Sequence, residues 1–288
     1  MSSDEHRNKH GWDPFPSSRR DREEAAGQYG QTPQTRSPTY RLAFDDDDFL
    51  TREETRGVRL QLELMKPELA FQEAGILSTV VLFGGARIPA PGQAAWAAKN
   101  ETQRKNLEAN AHFYDEARRF AQIASRHSAT SSGGKEFVIV TGGGPGVMEA
   151  GNRGANDVGA PSISLNITLP HEQEPNRYAT PELCFNFHYF AVRKMHFLLR
   201  AKAMAIFPGG FGTMDELFEA LTLIQTRRMQ RIPVILFGAR FWKRVLNLNV
   251  LAEEGTIAPE DLDLITFTET AEDGWEAIAR FYGFAPGK

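Results

Sequence analysis

With 288 residues, 41% of them hydrophobic, the chain is long enough to bury the core of one large α/β domain or two small ones. A net charge of -4 leaves no global basic field and argues against nucleic-acid binding by charge, and no apolar run approaches the length of a bilayer span. The single cysteine, Cys184, excludes an intrachain disulfide and argues against a thiolate metal site; it reads as a small hydrophobe in the run Cys184-Phe185-Asn186-Phe187.

Residues 1–48 are dense in Arg, Asp, Glu, Ser, Gln and Pro, a composition too poor in apolar surface to offset the entropy of ordering, and they are expected to form a disordered tail. The tail has no apolar leader and carries acidic residues throughout, so the expected compartment is the cytoplasm. Trp12 and Phe15 are its candidate docking residues. The run Asp45-Asp46-Asp47-Asp48 reads as a solvated flank to the next helix. Over residues 49–74, Leu60, Leu62, Leu64, Leu69 and Phe71 fall among charges and predict a helical arm interrupted at Pro67.

The main domain is expected over 75–288. Ser78 to Phe83 is a β-branched strand entering the turn Gly84-Gly85-Ala86-Arg87, and Asn110 to Arg126 is an amphipathic helix. Phe137 to Val140 is a second buried strand that runs into Gly142-Gly143-Gly144-Pro145-Gly146 and a helix. Strands at Ser162 to Ile167 and Cys184 to Phe187 follow, separated by a polar loop at His171 to Arg177. A helix from Phe190 to Lys202 feeds the strand Ala203 to Phe207. That strand opens into Pro208-Gly209-Gly210-Phe211-Gly212-Thr213, with Leu217, Ala220, Leu221 and Ile224 at helical spacing beyond it. Ile232 to Gly238 and Leu264 to Phe267 are further strands, and Phe241 to Glu254 and Ala271 to Tyr282 are helices.

Alternating helices and continuous apolar strands specify a doubly wound, Rossmann-like α/β fold, a parallel sheet with helices on both faces. Ligands in such sheets bind beyond the carboxyl ends of the strands, where all three glycine loops are expected. The loop at Gly209 opens a helix, so its amides and the helix dipole favour an anion; Thr213 adds a hydroxyl, and Glu216 follows within the first turns. A bare glycine turn more often reports tight strand-to-helix packing alone; here the acidic residue in the first helical turn favours a ligand. The Gly142 loop lacks the acidic partner of a dinucleotide fingerprint, and no glycine is followed by the Gly-Lys-Ser or Gly-Lys-Thr of a Walker loop. A mononucleotide or a sugar phosphate remains.

The segments Gly142 to Glu149, Phe190-Ala191-Val192-Arg193-Lys194 and Pro208 to Glu216 resemble the signature of the LOG family, cytokinin riboside 5'-monophosphate phosphoribohydrolases long mislabelled lysine decarboxylases. The resemblance extends over about 75–283. It implies hydrolysis of the N-glycosidic bond of AMP or an N6-modified AMP, with Arg193 and Glu216 as catalytic residues and no cofactor or metal. It further implies that Gly209, Gly210, Gly212, Thr213 and Lys194 hold the 5'-phosphate, and that Gly142, Gly143, Gly144 and Met148 form a loop over the ribose. A homo-oligomer, dimer or higher, is implied as well. Phe190 stands where short plant-like members have methionine, which aligns this chain with the longer bacterial subgroup. Two other activities fit the same motifs: a broader purine and pyrimidine nucleotide nucleosidase, and a carrier that binds a nucleotide or pterin without turnover. A carrier is expected to lack the arginine and glutamate pair, and both are present.

Overall fold

The computed structural model describes residues 15–169 and 174–285 and divides the chain into two compact units, 1–62 and 63–288. Trp12 and the first part of the predicted polar loop, His171 to Gln173, lie outside the described residues. Among the described residues no helix is long and apolar enough to cross a membrane.

Among its described residues the first unit is made of short helical elements. It contains α1 (Ser18–Ala26), α2 (Pro33–Arg36), α3 (Asp47–Leu50) and three-residue 3-10 turns between them, and it ends inside α4 (Arg56–Glu73). Local caps hold these elements: Ser17 accepts from the Arg20 amide, Thr32 and Thr35 bond reciprocally, and Asp46 accepts from the Phe49 amide. None of the apolar side chains described in this unit is buried, in keeping with its polar composition. The Asp45 to Asp48 run does flank a helix, with Asp46 as its N-cap.

The second unit is built on seven parallel strands: β1 (Thr79–Phe83), β2 (Val138–Thr141), β3 (Ser162–Ile167), β4 (Cys184–Phe187), β5 (Ala201–Ile206), β6 (Val234–Phe237) and β7 (Ile265–Thr268). Their order across the sheet is β4-β3-β2-β1-β5-β6-β7. The chain winds outward from β1 to β4, then returns to lay β5 beside β1, with Leu82 opposite Ala205 and Phe83 opposite Ile206. That reversal puts a crevice beyond the carboxyl ends of β1 and β5.

Among the described residues the strands are joined or followed by the α-helices α5 (Glu101–Ala109), α6 (His112–Ser132), α7 (Val147–Asp157), α8 (Phe190–Leu198), α9 (Phe211–Gln225), α10 (Ala239–Val245), α11 (Leu248–Glu253) and α12 (Ala271–Tyr282). Helix α6 buries Phe113, Ala117, Phe120, Ala121 and Ala124 at the spacing its sequence predicts, and forms one core with Val80 and Leu82 of β1, Ala150 of α7 and Trp275 of α12. On the opposite face Phe83 meets Phe197 edge-on at 4.7 Å, and Phe71 meets Phe185 at 5.4 Å. The predicted helix over Phe241 to Glu254 is two helices, broken at Leu246, which is extended, and at Asn247, which is not helical.

Pro67 does not interrupt α4, contrary to expectation. A proline inside a helix removes the bond to the carbonyl four residues earlier, here that of Glu63. His196 Nε2 lies 3.3 Å from that carbonyl and replaces the missing donor. The Glu63 carboxylate accepts the amides of His188 (2.8 Å) and Tyr189 (3.1 Å), which closes the start of α8. These bonds and the buried Phe71 tie 63–74 to the sheet unit, which begins at Glu63.

Candidate active site

The crevice at the strand reversal is a cavity of about 730 Å³. All three glycine loops reach it: Gly84 to Arg87 after β1, Gly142 after β2, and Pro208 to Glu216 after β5 and into α9. The loop after β5 is its floor. Gly210 is the N-cap of α9, no side chain caps the helix, and the first bond of the turn is Met214 N to Gly210 O. The amides of Gly209, Gly210, Phe211, Gly212 and Thr213 therefore have no acceptor among the described residues, and they sit at the positive end of a helix of 15 residues. A Cβ on Gly209 would overlap the Thr213 side chain, so only glycine leaves that hydroxyl where it is.

Glu216 lies three and four residues beyond Thr213 and Gly212, on the same side of α9. It is 5% exposed, and its Oε2 is buried with no hydrogen-bond partner among the described residues. Burial raises its pKa to about 7; Lys194 and Arg193 pull it down, while Glu219 and Asp215 push it further up. Holding this carboxyl ionised at neutral pH costs on the order of 3 kcal/mol. A group kept in so unfavourable a state and without a partner is a mark of function rather than of stability.

Arg193 enters from the first turns of α8. Its Nε donates to the Leu165 carbonyl at 2.8 Å, and the guanidinium carbon stands 5.2 Å and 5.8 Å from the ring centres of Phe197 and Phe190. A Cβ on Gly142 would lie 2.8 Å from Arg193 Nη2, so that glycine makes room for the guanidinium. Burial lowers the Arg193 pKa, and the charge of Glu216 opposes the shift.

Of the predicted site residues, Arg193, Glu216, Gly209, Gly210, Gly212, Thr213, Gly142 and Met148 line the cavity. Lys194, Gly143 and Gly144 do not. Successive residues of a helix point about 100° apart, and Lys194 leaves the cavity to bind Asp215 Oδ2 at 2.9 Å and Glu219 Oε2 at 3.1 Å, with its side chain 17% exposed. Gly143 adopts φ +76°, and a Cβ there would overlap Ser164 and Asn166, so it packs on β3 instead of facing a ligand. Its carbonyl, and that of Gly144, accept from Asn176 Nδ2 at 3.1 and 3.3 Å. Asn176 belongs to the polar loop read at His171 to Arg177, and it latches the second glycine turn.

Leu107, Asn110, Phe241 and Asp215 line the cavity without having been singled out for it by sequence. Leu107 rides on α5, a helix too polar for its periodicity to stand out. Its signal was a cap: Asn100 accepts the Gln103 amide at 2.9 Å, and Gln103 returns a bond to the Lys99 amide at 2.8 Å. Among the described residues no three His, Cys, Asp or Glu side chains gather to hold a metal.

Residues 148–278 match the family model described as "Possible lysine decarboxylase". No curated protein matches the chain. Solved structures similar to it include the molybdenum cofactor carrier protein of Chlamydomonas reinhardtii, 14% identical over 72% of this chain and 99% of that one with a TM-score of 0.43. The structural-genomics target TM1055 is 17% identical over 70% of this chain and 99% of that one, with a TM-score of 0.44. Neither likeness is strong enough to carry a shared chemistry.

Proposed function

We propose, from the side chains of the cleft and from the match of residues 148–278 to the family model described as "Possible lysine decarboxylase", that the protein hydrolyses the N-glycosidic bond of a nucleoside 5'-monophosphate, AMP or an N6-modified AMP, to the free base and ribose 5-phosphate. One observation carries the reading: a row of unpaired amides at a helix N-terminus shares a cavity with a buried, partnerless carboxylate one turn along and with a guanidinium from the facing helix. The decarboxylase description fits less well. Pyridoxal chemistry needs a lysine to condense with the cofactor, and the residues that line this cavity include none.

In the proposed reaction the 5'-phosphate rests on the amides of Gly209 to Thr213, which sets the anomeric carbon beside Glu216. The carbon–nitrogen bond breaks with its electron pair going to the base, and positive charge develops on the ribosyl centre. Ionised Glu216 stabilises that charge and takes a proton from the water whose oxygen bonds to the anomeric carbon. Arg193 faces the departing base and stabilises the negative charge it acquires until the base nitrogen receives the proton held by Glu216, which restores the carboxylate. A pKa of about 7 suits this task, since the carboxylate is a stronger base than an exposed glutamate and is still substantially ionised at neutral pH.

The test is a panel of purine and pyrimidine 5'-monophosphates that includes AMP and isopentenyl-AMP, with chromatographic detection of free base and ribose 5-phosphate. The expected result is release from adenine nucleotides ahead of pyrimidines. Comparable rates across all bases would replace the adenine preference with a broad nucleosidase, and release from none of them refutes hydrolysis.

A further inference from the structure

We propose that Arg87, at the end of the loop after β1, is the cation that receives the substrate's 5'-phosphate on the Gly209 to Thr213 cradle. This rests on the nucleotide reading above and names the group that makes the site select a phosphorylated substrate.

The charged residues lining the cavity are Arg87, Arg193, Asp215 and Glu216. Two of them, Asp215 and Arg193, are already engaged, and Glu216 is an acid that cannot attract an anion. Asp215 is ion-paired with Lys194, and Arg193 is fixed on the Leu165 carbonyl with its charge set against Glu216. Arg87 is exposed on the cavity wall and has neither a hydrogen bond nor a carboxylate partner among the described residues. Lys194, the cation that the family resemblance assigned to the phosphate, does not line the cavity and is held by the carboxylates of Asp215 and Glu219.

The backbone places Arg87 beside the cradle. Gly85 N donates to the carbonyl of Pro208, the residue before Gly209, at 2.9 Å. Gly85 O accepts the Val147 amide at 3.3 Å, so the first loop is pinned between the other two. Gly146 has φ +67°, and a Cβ there would meet the carbonyl of Ala86 at 2.8 Å, an approach that only glycine allows. Ile88, next in the chain, is buried at 4% exposure. Arg87 thus stands between an anchored turn and a buried anchor, and it lines the same cavity as Gly209 to Thr213. Peptide amides and a helix dipole attract an anion, but a phosphate monoester carries nearly two charges, and a planar guanidinium matches two of its oxygens at once.

Calorimetric titration of the full chain with inorganic phosphate and with ribose 5-phosphate tests the proposal without requiring turnover. Arg87→Ala and Arg87→Gln are expected to weaken both at least tenfold, Arg87→Lys to recover part of the loss, and Lys194→Met to stay within about twofold of the parent. In the kinetic arm, the ratio of kcat/KM for AMP to that for adenosine should fall tenfold or more in Arg87→Ala. An unchanged phosphate affinity in both Arg87 variants, an unchanged ratio, or a parent that binds no phosphate overturns the assignment. A parent that binds phosphate but hydrolyses no nucleotide refutes the hydrolase reading alone, and the titrations still decide the role of Arg87.

Discussion

The loops after β2 and β5 are written alike, Gly142-Gly143-Gly144-Pro145-Gly146 and Pro208-Gly209-Gly210-Phe211-Gly212, each between a buried strand and a helix, and the protein uses them for opposite purposes. In the first, glycine is needed for packing: Gly143 is pressed on Ser164 and Asn166, Gly146 on the backbone of the neighbouring loop, and Asn176 binds the carbonyls. In the second, a Cβ at Gly210 or Gly212 would meet no atom within 4 Å. Those two glycines are required by nothing in the folded chain, so what they leave open is access for a ligand to the amides. A glycine motif therefore reports close approach, and only its surroundings say whether protein or ligand approaches.

The comparison can be broken most decisively at the carboxylate that the second loop serves. Glu216→Gln should lower kcat on the order of 10³-fold while leaving nucleotide affinity within a few-fold, read by single-turnover kinetics and calorimetry. In the parent, kcat/KM should rise about tenfold per pH unit and level off near pH 7, because Glu216 must be ionised to act and its pKa is about 7. Turnover that survives Glu216→Gln removes the carboxylate from the mechanism.

Next in size is the packed loop. Gly143→Ala should destabilise the fold by about 3 kcal/mol or more, since it adds both left-handed backbone strain and overlap with two β3 side chains. Denaturant midpoints measure it, and a neutral result would mean that this loop is as open as the other.

Glu216→Gln also has a stability signature of similar size. A carboxyl whose pKa is raised from 4.5 to about 7 contributes stability below pH 4.5 that is lost as the pH climbs through 7. The amide carries no such pH dependence. The variant should therefore gain about 3 kcal/mol on the parent between pH 4 and pH 8, read as the difference in denaturation free energy at the two pH values.

The smallest effect sharpens the contrast between the loops. Gly212→Ala places a better helix former in the first turn of α9 and should raise stability by about 0.5–1 kcal/mol, while it weakens phosphate binding several-fold by crowding the amides. A loss of stability would show that the second loop is also packed against protein.

Much of the fold was legible from the chain because its signals are local. The spacing of Phe113, Ala117, Phe120 and Ala124 marked the core face of α6, and Thr270 and Gly283 bracket α12 as cap and left-handed terminus, where sequence expected its ends. Signals failed where a distant residue intervened. Pro67 was expected to break α4, and His196, 129 positions later, keeps it whole by taking the Glu63 carbonyl. In the candidate site, Arg193 and Glu216 were legible as a pair by motif. The burial that pushes Glu216 to about 7 was not, because it depends on strands and helices brought together from across the chain.

By itself the sequence determined the strand, glycine turn and helix units, and it placed Gly209 to Thr213 and Glu216 on one helix start, because turns, caps and helical faces depend on residues within about four positions of one another. Tertiary structure alone decided that β5 returns beside β1 to open the crevice, that one glycine loop fills with protein while the other stays open, and that Lys194 turns to two carboxylates while Arg87 faces the cavity. Those outcomes depend on strand order and on which surfaces meet, and no window of neighbouring residues contains that information.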